Sequence, residues 1–350
     1  MWFHDYLCGL GGQLSHSDLI QYQASPQLQK DTFVNSQPYK KKITVYGAIK
    51  TTYDIARFIP QLRPRQALPI HLNTAPDYKE QGDYVVWYGH STVLLQIDGK
   101  KIFIDPIFSD AAAALPWIGT KRYNQGQLTQ ITQLPSIDVV LLSHDHYDHL
   151  DYPTIMGLQH KVSQFVMPLG VGCHLKKWGI PTEKIKELDW WQSEMLEHIA
   201  MIATPARHTS GRKIGMKNKT LWSSWVIKGK NHSVFFSGDS GYSATQFQNI
   251  GEKYGPFDLT LIECGQYDLR WKDMHMFPEQ ALQAYHDLRG KVMLPIHWGA
   301  YTLAFHPWKE PIERLLELAR EEPNTHIVTP MLGQIANMDA IDNYSVAWWK

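Results

Sequence analysis

The segment Leu141–Tyr152, LLSHDHYDHLDY, decides how this sequence is interpreted. It holds three histidines and three aspartates in twelve positions, and it continues an apolar run that is typical of a buried strand. His144 and His146 are two positions apart, so at the end of an extended strand both imidazoles point to the same side. Asp148 and His149 follow where the chain turns and can approach from another direction. The spacing HxHxDH therefore predicts half of a metal site.

The donor types favour a catalytic metal site over a structural one. Neutral imidazole and carboxylate without sulfur suit zinc, manganese or iron. A surface turn with incidental histidines is the alternative, which the demanding spacing disfavours. Four ligands cannot complete two ions, and three further candidates follow apolar runs: His208 in ATPARHTSG, Asp239 in FFSGDSG and His297 in MLPIHWG.

Composition excludes several other classes of protein. Apolar residues make up 43% and charged residues 19% of the 350, which is typical of a folded globular chain. Lys plus Arg equal Asp plus Glu at 34 each, so no basic field favours nucleic acid as a partner. The three cysteines (Cys8, Cys173 and Cys264) are widely spaced, which predicts neither disulfides nor a thiolate zinc site and fits the cytoplasm. Neither a secretory leader nor a membrane span is expected.

The chain changes character near residue 80. Residues 1–80 are irregular and rich in turn-forming residues, apart from a helix predicted near Ala48–Phe58, and we interpret them as an extension that wraps the core. Residues 81–350 are interpreted as the domain that carries the metal site. There, short β-branched runs begin at Tyr84, and Asp98-Gly99 predicts a hairpin turn.

Strand and helix patterns alternate irregularly through the rest of the chain. Helical periodicity predicts helices over Pro278–Leu288 and Pro311–Leu318. Strand-like runs include DVVLLS, QFVMP, HIAMIATP, LWSSWVIKG, SVFFSGD, DLTLIEC and KVMLPIH. This mixture predicts a layered α/β fold in which two sheets pack face to face with helices outside.

The order of these motifs resembles the metallo-β-lactamase superfamily of binuclear hydrolases. The similarity extends to its branch of N-acylphosphatidylethanolamine-hydrolysing phospholipases D and covers about Asp83 to Leu303. The blocks that carry it are WYGHSTVLLQIDGKKIFIDPIFSD, PWIGTKRY, LSHDHYDHLDY, VMPLGV, LDWW, FFSGDSGY, YGPFDL and IHWGAY. The resemblance implies an αββα four-layer sandwich.

The resemblance also implies a set of metal ligands. They are His144, His146 and His208 for one ion, Asp148, His149 and His297 for the other, and Asp239 bridging both. Asp105 in FIDP would support a ligand histidine from behind by accepting its second ring N–H. For His90 in WYGHST a packing or turn role is the simpler interpretation, with a supporting contact as the alternative. Asp145 departs from the neutral Asn of animal members and adds negative charge beside the ligands.

The implied activity is a metal-dependent phosphodiesterase of phospholipase D type. Two divalent ions, zinc with manganese or iron as alternatives, would share a hydroxide nucleophile and neutralise charge on phosphorus. Asp239 would contribute to catalysis by holding both ions at the reacting centre. His275 in KDMHMFPEQA would bind phosphate or protonate the leaving group, and a solvent-exposed loop histidine is the alternative.

Three hypotheses remain for what this site does. The first is an N-acylphosphatidylethanolamine-like lipid, with peripheral membrane contact and with Trp190 and Trp191 helping to hold acyl chains; Trp222 and Trp225 at strand spacing fit the core better. The second is a lactone or amide, because activated hydroxide also attacks carbonyl carbon. The third is a non-enzymatic, metal-stabilised binding module, which open coordination positions disfavour.

Overall fold

The helices and strands come from a computed structural model that describes residues 8–38, 61–73, 78, 82–114, 119–126 and 131–350. The strands are β1 Leu28–Gln29, β2 Thr32–Phe33, β3 Tyr84–Trp87, β4 Val93–Ile97, β5 Lys100–Ile104, β6 Ile137–Leu141, β7 Val162–Pro168, β8 Ile185–Leu188, β9 Ser193–Leu196, β10 Ile199–Thr204, β11 Ser224–Lys228, β12 Ser233–Phe236, β13 Leu259–Glu263, β14 Met293–Ile296 and β15 Ile335–Asn337. The α-helices are α1 His16–Tyr22, α2 Tyr152–Leu158, α3 Gly172–Lys177, α4 Ala244–Tyr254, α5 Pro278–Asp287 and α6 Glu310–Arg320. Short 3₁₀ helices span Thr182–Lys184 and Met338–Tyr344.

Most strands belong to two mixed sheets. The seven-stranded sheet has the order β15-β3-β4-β5-β6-β7-β8, and the six-stranded sheet has the order β14-β13-β12-β11-β10-β9. The meander β3-β4-β5 is antiparallel and β5 to β8 are parallel. In the second sheet β9 to β12 are antiparallel, whereas β12, β13 and β14 are parallel and end at one edge.

The sheets pack face to face because their strands are apolar on both sides. Successive side chains of a strand point to opposite faces. In β3, Val85 and Trp87 join the core shared with the second sheet, whereas Tyr84 and Val86 join a second cluster that includes residues of α2 and α3. On the far face of the second sheet, residues of α4 and α5 complete the core. The result is the four-layer αββα sandwich that the family resemblance implies.

Several local predictions are confirmed. Asp98 and Gly99 form the two-residue turn between β4 and β5, with φ values of 49° and 79° and with Ile97 paired to Lys100. The strand-like runs are strands, and both predicted helices are present as α5 and α6. All three cysteines are free. The helix predicted near Ala48–Phe58 lies outside the described residues.

Part of the N-terminal region packs on the layered core. Tyr22 and Phe33 share a buried cluster with Trp190 and Trp222. The Tyr22 hydroxyl donates a hydrogen bond of 2.5 Å to Glu187, one residue before the end of β8. The division of the chain at residue 80 stays a prediction. Among the described residues, no helix is long and apolar enough to cross a membrane.

Candidate metal centre

The predicted donor side chains meet at one edge of the sandwich, where strands of both sheets end. β6 leads directly into the segment His144–His149, which we call the metal loop. In the second sheet, β10 leads to His208, and the parallel strands β12 and β14 lead to Asp239 and His297. Because parallel strands end at the same edge, side chains far apart in sequence converge here.

The first group contains His144, His146, His208 and Asp239, whose candidate ligand atoms all lie within 4.8 Å of one another. His146 Nδ1 lies 2.9 Å from His144 Nε2 and 3.2 Å from His208 Nε2. Asp239 Oδ2 is 3.8 Å from His144 Nε2 and 3.6 Å from His208 Nε2. These are the side chains that the sequence predicts for one ion.

The second group contains Asp148, His149 and His297, together with His90. His149 Nε2 lies 3.4 Å from His297 Nε2, and Asp148 Oδ2 lies 3.5 Å from each of these nitrogens. Asp239 Oδ1 is 3.1 Å from both imidazole nitrogens. Asp239 therefore lies between the two groups, with one carboxylate oxygen directed at each.

Contacts behind the imidazoles fix their orientation. His149 Nδ1–H donates to Asp105 Oδ2 at 2.8 Å, and His208 Nδ1–H donates to the Met274 carbonyl at 3.1 Å. The Ser143 hydroxyl also donates to Asp105. Its oxygen can therefore accept from His144 Nδ1–H, and these two atoms lie 2.9 Å apart. In each ring Nδ1 is held by an oxygen acceptor, and Nε2 is the nitrogen directed into the site.

This arrangement fits a cation. The Nε2 atoms of His144 and His208 lie 2.9 and 3.2 Å from His146 Nδ1; a proton on that nitrogen could satisfy only one of them, whereas a cation can accept lone pairs from all three rings. Burial, together with neighbouring imidazoles, lowers the pKa values of His144 and His208 well below the ordinary value, so both rings are neutral. Asp239 Oδ1 is buried and accepts no well-directed hydrogen bond, although two imidazole nitrogens lie 3.1 Å away. The donor set suits zinc, manganese or iron.

His90 lies in a turn and also contacts the site. Its φ of 53° is left-handed, and its backbone bridges to Trp298 beside His297. Its side chain is buried, and its Nε2 lies 2.8 Å from Asp148 Oδ2. His90 is thus a buried turn residue in contact with a predicted ligand, and its role stays a prediction.

A third group joins His275 to the site through Glu263, which sequence reasoning did not single out. Glu263 ends β13 between the strands that lead to Asp239 and His297, and it is fully buried. Glu263 Oε2 lies 2.8 Å from His275 Nδ1 and 3.4 Å from His297 Nδ1. An acidic residue inside the apolar run DLTLIEC was the available signal, because a carboxylate within such a run requires buried partners.

His275 lies at the margin of the site. Its ring is stacked on His297 at 5.1 Å, with an interplanar angle of 10°, and its side chain is 15% exposed. Burial lowers the pKa of His275 below its ordinary value. Burial and the Asp239 carboxylate raise the pKa of Glu263 well above its ordinary value. His275 is thus a partly accessible imidazole with one nitrogen held by Glu263.

The structure brings every sequence-predicted site residue to this edge: His90, Asp105, His144, His146, Asp148, His149, His208, Asp239, His275 and His297. Their assignments as ligands, supporting residues and proton donor stay predictions. Of the four tryptophans weighed for a lipid groove, Trp190, Trp222 and Trp225 are buried, and Trp191 is 40% exposed.

Comparison with known proteins identifies the family. Residues 100–298 match the sequence model described as Beta-lactamase superfamily domain. The chain belongs to this superfamily. An uncharacterized protein of Mycobacterium tuberculosis is 44% identical to it over 278 residues, which are 77% of this chain and 73% of that one. N-acyl-phosphatidylethanolamine-hydrolyzing phospholipase D 1 of Caenorhabditis elegans is 37% identical over 285 residues, 77% of this chain and 80% of that one.

A solved structure agrees with the superfamily fold. Igni18, a metallo hydrolase from the archaeon Ignicoccus hospitalis, superposes with a TM-score of 0.56 and 20% identity, covering 73% of this chain and 97% of that one. This superfamily member is therefore a hydrolase of metallo-β-lactamase fold whose His and Asp groups are compatible with metal binding.

Proposed function

We propose that this superfamily member is a phosphodiesterase of phospholipase D type that acts on N-acylphosphatidylethanolamine-like lipids. The observation that carries the proposal is the 37% identity, over 77% of the chain, to the Caenorhabditis elegans enzyme of that name. The convergent groups at the strand ends support it, because they bring together all seven predicted ligands and a neighbouring imidazole, that of His275.

The chemistry needs two divalent ions, for which we propose zinc. When bound, they supply positive charge beside the phosphoryl oxygens and lower the pKa of a water molecule toward neutrality. Asp239 would contribute one oxygen to each group of imidazoles. Asp105 would hold His149 in the tautomer whose Nε2 lone pair faces the site.

His275 is the proposed proton donor to the leaving alkoxide. Its Nδ1 is occupied by Glu263, so Nε2 is the nitrogen left for a substrate oxygen. The parallel stack on His297 places this ring directly beside a predicted ligand. General acid catalysis at this position would be worth about 10² to 10⁴ in rate.

Trp191 is the proposed contact with acyl chains or a membrane surface. It is 40% exposed, and Lys253 Nζ lies 5.0 Å from its ring centroid. An aromatic ring beside a cation suits the boundary between apolar chains and anionic headgroups. The three buried tryptophans instead donate hydrogen bonds to backbone carbonyls: Trp190 to Trp222, Trp222 to Ala206 and Trp225 to Leu142.

The test measures products from defined substrates. Purified protein is incubated with N-acylphosphatidylethanolamine vesicles, and phosphatidic acid and N-acylethanolamine are quantified before chelation, after chelation and after zinc is restored. A soluble chromogenic phosphodiester and a lactone are assayed in parallel. Asp239→Asn should abolish activity, whereas Asp339→Asn, whose side chain is 76% exposed, should not. Chelator-sensitive lactone cleavage without phosphodiester cleavage would reject the proposal.

A further inference from the structure

The metal loop carries a carboxylate that the reaction does not use. Asp145 lies between the predicted ligands His144 and His146 and is fully buried. Its Oδ1 accepts a hydrogen bond from the Gly211 backbone N–H at 2.7 Å, and its Oδ2 lies 3.1 Å from His174 Nε2. Asp145 therefore points away from the predicted ligand groups and joins the metal loop to the segment that follows His208.

His174 connects this carboxylate to the N-terminal region. It lies on α3 and is fully buried. Its Nδ1 accepts a hydrogen bond from the Gly12 N–H at 3.1 Å, so the ring proton is on Nε2 and is donated to Asp145. A Cβ at Gly12 would lie 2.0 Å from the Cys173 carbonyl oxygen. Only glycine permits this approach.

Arg212, in the segment that follows His208, binds the other two segments through their backbones. Its guanidinium donates to the carbonyls of Asp145 at 2.8 Å and Leu150 at 2.6 Å, which flank His146, Asp148 and His149. It also donates to the Gly9 carbonyl, at 2.8 Å from one terminal nitrogen. Arg212 is only 5% exposed, and its guanidinium lies 4.1 Å from the Tyr147 ring centroid.

Charge explains why an acid suits position 145. A buried guanidinium needs negative charge nearby, because its desolvation is otherwise uncompensated. The Asp145 carboxylate belongs to the residue whose carbonyl accepts from Arg212, and its two oxygens accept from Gly211 and His174.

We propose that Asp145, His174 and Arg212 are positioning residues that fix the metal loop against the His208 segment, and that residues 9–12 are part of this support. The inference rests on the proposed metal site. It assigns the N-terminal region a role in holding the ligands, although none of its residues is a predicted ligand.

Asp145→Asn is the direct test, because asparagine can satisfy only one of the two contacts. Gly211 N–H and His174 Nε2–H are both donors, and the amide offers one acceptor oxygen. We expect affinity for Zn²⁺, measured by competition with a chromophoric chelator, to fall about tenfold to 100-fold. The visible absorption of the Co²⁺-loaded protein should also change, because the ligand geometry changes.

Gly12→Ala tests the same support without altering the metal loop. Gly82→Ala is the matched control, because a Cβ there meets nothing closer than 3.9 Å. We expect Gly12→Ala, but not Gly82→Ala, to weaken Zn²⁺ binding and change the Co²⁺ spectrum. In a double-mutant cycle, Asp145→Asn should add little to His174→Ala, since the two residues act as one unit.

The outcomes separate this inference from the proposed function. If the wild-type protein binds no divalent ion, the proposed function fails. If it binds two ions, and Asp145→Asn and Gly12→Ala bind them within twofold of wild type with an unchanged Co²⁺ spectrum, only the positioning role fails. A lower unfolding temperature with unchanged ion affinity also overturns it, because that result describes a structural role alone.

Discussion

Asp105 accepts a hydrogen bond from His149 across 2.8 Å, and both side chains are fully buried. The Ser143 backbone N–H donates to the other carboxylate oxygen at 2.7 Å, so the acid is fixed at both ends. The residue that holds His149 from behind therefore lies immediately after β5, the last strand of the antiparallel meander.

Asp105→Ala should weaken zinc binding about tenfold to 100-fold, because His149 loses the group that fixes its tautomer. Chelator competition measures this affinity. Asp138→Asn is a suitable control, since Asp138 is partly exposed and its amide replacement can still accept from the Lys101 N–H. Equal affinities for wild type and Asp105→Ala would show that His149 needs no such partner.

His275→Gln should separate substrates by their leaving groups. With a lipid substrate the departing alkoxide needs a proton, and kcat should fall about 10²-fold to 10⁴-fold. With bis(p-nitrophenyl) phosphate the phenolate departs unprotonated, and kcat should change far less. His286→Gln, on an exposed histidine of α5, is the control. An equal loss on both substrates would assign His275 to phosphate binding instead of proton transfer.

Glu263→Gln should lower lipid hydrolysis through His275. A glutamine that still accepts from the Ser240 N–H presents its NH₂ group to His275 Nδ1, and this amide can neither take up a proton from the ring nor release one to it. Because the two residues act as a pair, the double variant with His275→Gln should be no slower than the slower single variant. Additive losses in kcat would contradict the pairing.

Removal of metal should destabilise the fold. A ligand that binds only the folded state adds about 2.7 kcal/mol to the free energy of unfolding at a concentration of 100 Kd. The unfolding temperature of the wild type should therefore fall on chelation and recover with zinc. Asp239→Asn should show a much smaller difference, because it removes the predicted bridge between the two groups.

Trp191→Ala should reduce activity on vesicles without affecting a soluble phosphodiester. The exposed ring lies outside the metal centre, so its loss should raise the apparent KM for vesicles and leave kcat for the soluble substrate unchanged. Met195→Ala, at a second exposed apolar side chain, is the comparison. Unchanged vesicle kinetics would remove Trp191 from the proposed lipid surface.

The fold was predictable because its strands are short apolar runs separated by clear turns. Asp98-Gly99 needs left-handed backbone at both positions, and that requirement is visible in the dipeptide itself. The convergence of His144 with His208, Asp239 and His297 was also predictable, but through the order of motifs rather than through any one of them. Each isolated residue carries little information, because strand ends commonly bear a polar side chain.

The support behind the metal centre was not predictable in the same way. Glu263 carries a weak local signal, as an acid within an apolar run. His174 carries none, because its role depends on how α3 packs against the metal loop and Gly12, contacts separated by 29 and 162 positions in the chain. Such contacts are a property of tertiary packing and leave no periodicity in the sequence.

The parallel strands β12, β13 and β14 lead to Asp239, Glu263 and His297 at one edge. The spacing of these three side chains is therefore set by the pairing of the strands, and a change of register between any two strands would displace their side chains relative to one another. A sequence that keeps this register keeps the three groups in place even where the connecting loops diverge.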